Sequence, residues 1–320
     1  MSSENNVSFF KRITYLWGDI SRLYGKRHPK WLIGRVYKLL LGREMNWDDP
    51  KDLNEKINWL KLHVDPYEWS VLADKYRVRE YVKDRGLEEI LIPLYGHWKS
   101  SEEVIADWNK LPDEFVLKCN NGNGKVKIVS KKNGGKSAIN MLDLRKELDN
   151  WISSSYCGIS GTEPHYSLID NCIIAEELLH DAGDESFSDS IVDYKIWCFN
   201  GKPYGCFVCY NRDIETKNKD VAFYDNNWNF HPEYLSISAN NHQIKKPEKW
   251  SQMLDVAAKL SKGQPQVRVD LYYASGNIYF GEMTMTARGG FMTVFTQDAL
   301  LDMGRQIVLD LETPGNMFCK

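Results

Sequence analysis

The sequence predicts an α+β protein with a helical front and at least two sheets behind it. Three observations carry that assignment. Apolar residues recur at helical spacing between about 52 and 83, and from Phe115 onward short alternating runs rich in Val, Ile, Tyr and Phe dominate. The third is a folded composition: of 320 residues, 42% are apolar and 12% aromatic. With 41 basic against 44 acidic residues the chain is neither a disordered tail nor a basic nucleic-acid coat, so no nucleic-acid partner is expected. No apolar run reaches the roughly 18 to 20 residues of a membrane-spanning helix. Seven scattered cysteines read as free thiols in a reducing cytosol, and residues 1–7 lack the character of a secretory signal, so a cytoplasmic location is expected. The single C-x-x-C, Cys206 and Cys209, fits either a metal or redox pair or an ordinary half-buried strand.

In chain order, a basic, aromatic helical segment is expected over 1–48 and a helical region over 49–112. A smaller α+β unit follows over 113–179, and a larger one over 180–320. Residues 7–43 hold nine Lys/Arg and one acid, a net +8 that leaves −11 on the remainder against an overall −3. With Phe9, Trp17 and Trp31 interleaved, this segment can lie on an anionic membrane, grip a polyanion, or pack as a helix pair with solvated cations. Asp52 caps a helix whose Leu53, Ile57 and Leu60 share a face. A second amphipathic helix is expected over 69–83, then a strand-like run over 90–95. Further strands are expected at 115–119, 126–130, 172–179, 191–199, 203–210, 266–273 and 278–286, with helices at 138–153, 250–261 and 296–309.

Three stretches carry chemistry. Phe115-Val116-Leu117-Lys118, then Asn120-Asn121-Gly122-Asn123-Gly124, then Val126-Lys127-Ile128-Val129 reads as a Gly-rich hairpin with a lysine at its mouth. Glycines allow backbone N–H groups to approach a polyphosphate, and a lysine adds a point charge; a plain turn has the same wording. Gly135-Lys136-Ser137 imitates the end of a P-loop, but Ser130 stands where its first glycine belongs. Cys172-Ile173-Ile174-Ala175-Glu176-Glu177-Leu178 is an apolar strand running into acids, suited either to an adenine edge and ribose or to simple solvation of a strand end.

The third stretch is a hairpin, 267–284. A three-residue loop at Ser275-Gly276-Asn277 pairs Asp270 with Glu282 and Arg268 with Thr284. Opposed carboxylates about 4.5 to 5.5 Å apart destabilise a sheet unless compensated. A divalent cation such as Mg²⁺, with Thr284 or water as a further oxygen donor, is one compensation. Screening by Arg268 on the same face is the other.

Taken in order, Asp74-Lys75, the Lys118 hairpin, Glu176-Glu177, Arg268-Val269-Asp270 and Glu282-x-Thr284 resemble an ATP-grasp enzyme. The wording Leu53-Asn54-Glu55-Lys56-Ile57-Asn58-Trp59-Leu60-Lys61-Leu62, Asp193-Tyr194-Lys195, Cys198-Phe199-Asn200-Gly201-Lys202-Pro203 and Gly281-Glu282-Met283-Thr284 is similar to the TupA-like branch, the teichuronopeptide-synthesis type, over about residues 50 to 310. The resemblance implies an ATP-grasp fold of two α+β subdomains gripping ATP, the small one over 113–179 and the large one, with the Mg²⁺ site, over 180–320. It implies that Lys75 and Lys118 contact ATP, and that the loop with Asn121, Gly122 and Gly124 covers the triphosphate. Glu176, Glu177 and Leu178 would hold adenine and ribose, Asp193 would reach ribose, and Lys195 a phosphate. Asp270 and Glu282 would bind Mg²⁺, and Arg268 would stabilise an acyl phosphate and tetrahedral intermediate. Thr284 stands where the superfamily usually has Asn, which puts the third ligand in doubt. Arg288 follows in the next loop, where a substrate anion could dock or where it is a surface arginine.

The implied activity is ATP-dependent joining of a carboxylate, of the glycan or uronic-acid type, to an amine such as an amino acid, in bacterial surface-polysaccharide biosynthesis. The alternatives are a glycosyltransferase, against which no Asp-x-Asp pair occurs in the chain, and a glycan or sugar kinase using the same ATP site. Peripheral contact with an anionic membrane at the inner face of the cytoplasmic membrane through residues 7–43 is a further expectation.

Overall fold

The computed structural model describes residues 24–309 except 26, 123, 155–160, 181–187, 189, 214–215, 217 and 238–243. Phe9 and Trp17 of the basic segment lie outside the described residues. The segment's described part is a helix, α1 (Pro29–Leu41), started by Pro29 and stopped by Gly42 in the left-handed conformation at φ 72°. α2 (Leu53–Leu60) opens with a reciprocal capping box between Asp52 and Glu55, as the Asp52 cap predicts.

The helix expected over 69–83 is two helices, α3 (Pro66–Ala73) and α4 (Val78–Asp84). Asp74 causes the break. Its carboxylate accepts the Tyr76 and Arg77 amides at 2.8 and 3.1 Å, offering the backbone a turn in place of the helix ladder. The break also frees Lys75 to turn toward the Gly-rich loop, where its amide donates to the Asn120 carbonyl at 3.1 Å.

β1 (Leu94–Trp98), α5 (Ser101–Asp107), β2 (Phe115–Cys119), β3 (Val126–Val129), α6 (Met141–Ser153) and β4 (Ile173–Glu176) follow. The strands form an antiparallel sheet of order β1-β4-β2-β3. One of its edge strands, β1, thus comes from the stretch 49–112 read as helical, and the run 90–95 supplies only its start. Trp98, Val104, Phe115, Leu117, Leu148 and Trp151 pack α5 and α6 on one face. The other face carries His97, Ile174, Lys118 and Val126 in cross-strand register.

β5 (Asp193–Phe199), β6 (Lys202–Tyr210), β7 (Asp220–Asp225), α7 (Trp250–Ser261), β8 (Gln266–Ala274), β9 (Asn277–Thr284) and α8 (Gln297–Arg305) complete the described chain. The second sheet is antiparallel, of order β7-β6-β5-β8-β9. Asn200 and Gly201, at φ 50° and 76°, make the two-residue turn between β5 and β6, a pair that favours such hairpins. β7 was not expected from the sequence, whereas α5 falls in the stretch 49–112 read as helical. One sheet face, with Tyr194, Ile196, Val208, Val267 and Val269, packs on α7 through Trp250 and Met253. Cys206 and Cys209 are buried strand residues, the ordinary reading of the C-x-x-C. The opposite face is apolar at one end, where Trp197, Phe199, Phe207 and Phe223 meet α2 and α8, and charged at the other.

Candidate active site

The β8–β9 hairpin places Asp270 opposite Glu282 and Arg268 opposite Thr284, as the sequence predicts, but by a different route. The turn holds two residues, Ser275 and Gly276 at φ 49° and 74°, because Ala274 pairs with Asn277. A bulge at Gly281 then restores the register. A Cβ there would sit 2.9 Å from the Asp270 carbonyl oxygen, so the close approach requires glycine.

Asp270 is 1% exposed and both its oxygens are held. Arg268 donates from Nε at 2.6 Å and from Nη2 at 2.7 Å, and Lys195, directly across on β5, donates at 2.6 Å. Arg268 Nη2 reaches Thr284 Oγ1 at 3.0 Å and Glu282 Oε1 at 3.4 Å, while Thr284 Oγ1 donates to Glu282 at 3.1 Å. Lys195 also pairs with Asp193 at 2.9 Å, and Arg212 pairs with the same Asp193 oxygen at 2.8 Å. Arg268 and Lys195 on Asp270, with Lys75 3.6 Å from Glu282, therefore offset the opposed carboxylates, two cations more than Arg268 alone.

Burial alone would raise the Glu282 carboxyl, but Lys75, Lys195 and Arg268 outweigh it and hold it at about 2. Asp270, wholly enclosed, is pushed up by burial despite Arg268 and Lys195. Lys195 is raised because Asp193 and Asp270 overcome the cost of burying its charge. Glu282 keeps 38% of its side chain exposed, so the cluster opens on its side.

The donor set fits a hard divalent cation. Asp270, Glu282 and Thr284 offer oxygens on adjacent strands, and Asp193 Oδ1 is a buried carboxylate oxygen with no hydrogen-bond partner among the described residues. No group of three His, Cys, Asp or Glu among the described residues could by itself cage a metal. An ion here would take further ligands from phosphate or water, as Mg²⁺ commonly does.

Lys75 ties this cluster to the small sheet: its Nζ donates to the Gly122 carbonyl at 2.8 Å and lies 3.6 Å from Glu282. Gly122 and Gly124 have φ of 79° and 81°, and a Cβ on Gly124 would meet nothing within 4 Å, so the loop's exposed edge is open. Asn121, expected over the triphosphate, instead points inward, donating to Asn171 at 2.9 Å and to the Tyr166 carbonyl at 3.2 Å. It anchors the loop. Lys118 pairs with Glu176 at 2.7 Å, and Arg79 holds the same carboxylate at 3.0 Å while donating to the Ile92 carbonyl. Glu176 thereby fixes two cations, a role that the adenine assignment did not include. Glu177 and Leu178 follow β4 half-buried, with the Glu177 amide on the Pro93 carbonyl at 3.0 Å. Tyr76 stacks on His97 at 3.8 Å, over the face that carries Lys118.

Arg288 is exposed in a short turn, Ala287–Gly290, with φ 51° where a side chain rarely sits. Its neighbours are clamped from α2, about 230 residues earlier. Asn58 donates to the Gly290 carbonyl at 2.7 Å, Lys61 to that of Gly289 at 2.5 Å, and Asn54 exchanges two bonds of 2.9 Å with the Met292 backbone. Sequence reasoning missed these three. The available signal was their spacing, i, i+4 and i+7, which puts amides and an ammonium in one stripe of a helix otherwise buried. Below them Thr286 donates to buried Glu163, and burial pushes the nearby His165 imidazole down to about 3.

The TupA-like ATPgrasp family matches residues 55–308. No curated protein matches the chain. Among solved structures it is similar to a D-alanine–D-alanine ligase from Bacillus anthracis complexed with ATP, at 14% identity and TM-score 0.41, covering 72% of this chain and 59% of that one. It is also similar to the VanG D-Ala:D-Ser ligase from Enterococcus faecalis, at 14% identity and TM-score 0.43, covering 80% and 69%. The D-cycloserine synthetase DcsG follows at 12% identity and TM-score 0.42, covering 75% and 70%. The chain thus spans about three fifths of the length of the first of these structures. The family match takes in the Lys75 turn, the Gly-rich hairpin and the paired carboxylates of β8 and β9, well over half of the sequence, and the chain belongs to the TupA-like ATP-grasp family.

Proposed function

We propose that the protein is an ATP-dependent carboxylate–amine ligase acting in bacterial surface-polysaccharide biosynthesis. The observation that supports it most is the placement of Asp270, Glu282 and Thr284 beside Arg268 and Lys195, with Glu282 3.6 Å from the Lys75 that grips the Gly-rich loop. Phosphoryl transfer asks a protein chiefly to position groups and neutralise charge, and this site holds both signs at close range.

Asp270 and Glu282, with Thr284, would hold Mg²⁺, which when bound neutralises phosphate charge. Lys75 and the Gly122–Gly124 backbone cover the phosphates, and Lys118 and Lys195 add charge from the two sheets. Glu177, Leu178 and the Tyr76–His97 stack border the base and ribose. Arg288 holds the acceptor's carboxylate. Arg268 stabilises the oxyanion as that carboxylate takes the γ-phosphoryl and as an amine then displaces phosphate. A preorganised donor of this kind is worth about 2.7 to 4 kcal/mol.

The test is incubation of the protein with Mg·ATP, uronic-acid glycans and amino acids, following ADP release and product mass. An amide, formed with one ADP and one phosphate released, supports the proposal. A phosphorylated glycan without phosphate release assigns a kinase instead, and sugar transfer without ATP consumption assigns a glycosyltransferase.

A further inference from the structure

We propose that the outer face of α1 is a docking surface for a bilayer containing anionic lipid. The helix has two unlike sides. Leu32, Ile33, Val36 and Tyr37 are buried against the body of the protein, with Tyr37 edge-on to Phe291 at 6.2 Å. Arg43, just past the helix, pairs with Asp52 and Glu55 at the start of α2, so the helix is fixed in orientation.

Trp31 lies on the opposite side and Leu39 on the flank, at 42% and 80% exposure, and Tyr24, just before the helix, is 49% exposed beside Trp31. Tyr24 stacks on His28 at 4.1 Å and meets Trp31 edge-on at 5.0 Å, and the Arg35 guanidinium lies 5.5 Å from the Trp31 ring. Arg27, Lys30 and Lys38 are exposed on or beside this face. Residues 20–43 contain seven Lys/Arg and no acid. The first acid beyond them, Glu44, pairs with Lys38 at 2.5 Å.

Cations alone would suit any polyanion. The aromatic cluster and a leucine four-fifths exposed at its end favour a lipid surface, whose headgroups take the charges while the interface takes Trp31, Tyr24 and Leu39. No helix among the described residues is long and apolar enough to cross a membrane, so the contact is peripheral. The contact through Tyr37 and Phe291 joins this helix to the loop of Arg288, three residues earlier in the chain. That contact is on the buried side of the helix, away from the docking face, and the docking itself needs neither nucleotide nor acceptor.

The full chain is sedimented with vesicles of phosphatidylcholine alone and with about 30% phosphatidylglycerol, at about 50 and 500 mM salt. Binding to the anionic vesicles only, released at high salt, is expected. The double variants Lys30→Glu/Arg35→Glu and Trp31→Ser/Leu39→Ser, checked for unchanged thermal unfolding, are each expected to lower the bound fraction at least about fivefold. Absence of wild-type binding to anionic vesicles at low salt overturns the proposal, as does full binding by both variants. Loss in the charge variant alone, with equal binding of the wild type to a soluble acidic polysaccharide, assigns the face to a polyanion and also overturns it. ATP turnover measured without vesicles reports separately on the ligase reading.

Discussion

The two ends of one sheet face differ in everything but geometry. On β5, Lys195 and Trp197 are two residues apart and point the same way; on β8, Asp270 stands across from Lys195 and Arg268 from Trp197. Toward β6 and β7 the face continues as Phe207 and Phe223, buried under α2 and α8. Toward β9 it continues as Glu282 and Thr284, with Lys75 arriving from the turn between α3 and α4. The period-2 alternation of a strand fixes only which residues share a face. What covers that face decides its chemistry: helices seal one end, and the other is left facing the Gly-rich loop.

Substitution should therefore cost stability at both ends but impair ATP chemistry only at the open one. The largest effect is expected from Asp270→Asn, with ATP turnover lowered by about 10²-fold or more. Stability should fall as well, by about 3 kcal/mol, because Arg268 and Lys195 are left buried without their shared partner. The sequence alone suggests the reverse sign for stability, since it supplies the repulsion between carboxylates but not the reach of Lys195. Denaturant unfolding with and without Mg²⁺ checks the sign. At the sealed end, Phe223→Ala should cost about 3 to 5 kcal/mol of stability while Mg·ATP affinity in the folded fraction stays unchanged.

Lys118→Ala should weaken nucleotide binding by about 1.5 to 3 kcal/mol, read by calorimetry. Gly290→Ala should cost about 1 to 3 kcal/mol, since φ is 73° and the new Cβ would press on Asn58 and Ile57 at 2.9 Å. It should also displace Arg288, so a fall in acceptor use exceeding any fall in ATP affinity is the diagnostic result.

The smallest effect concerns acid stability. Glu282 is held at about 2 against an ordinary 4.5, so in the unfolded chain it takes up a proton first. Its contribution is present above about 4.5 and is lost as pH falls toward 2. Glu282→Gln should abolish that part of the slope in thermal-unfolding midpoints measured over the same range. Partial exposure of the side chain keeps the difference modest.

Much of this was legible because it is local. The opposed pair Asp270 and Glu282 follows from strand alternation, although two errors cancelled: the loop is shorter by a residue and the bulge at Gly281 returns it. The Asp52 cap is likewise read from neighbours in sequence. The rest depends on partners far along the chain. Periodicity alone runs one helix through Asp74, because its capping geometry competes with that periodicity only in context. Asn54, Asn58 and Lys61 look like ordinary helix residues until the carbonyls of 289–292 arrive. Asn121 could not be told from a phosphate-covering residue until Asn171 turned it inward.

The central claim is that the open, charged end of the large sheet binds ATP through a metal, whereas the sealed end only packs. Titration calorimetry of the wild type and Glu282→Gln with ATP, each with and without Mg²⁺, tests it most directly. The account predicts wild-type binding that strengthens with Mg²⁺ and loses that strengthening in Glu282→Gln, with both proteins folded. Absence of nucleotide binding by the wild type with Mg²⁺, or an equal Mg²⁺ response in the two proteins, would contradict it.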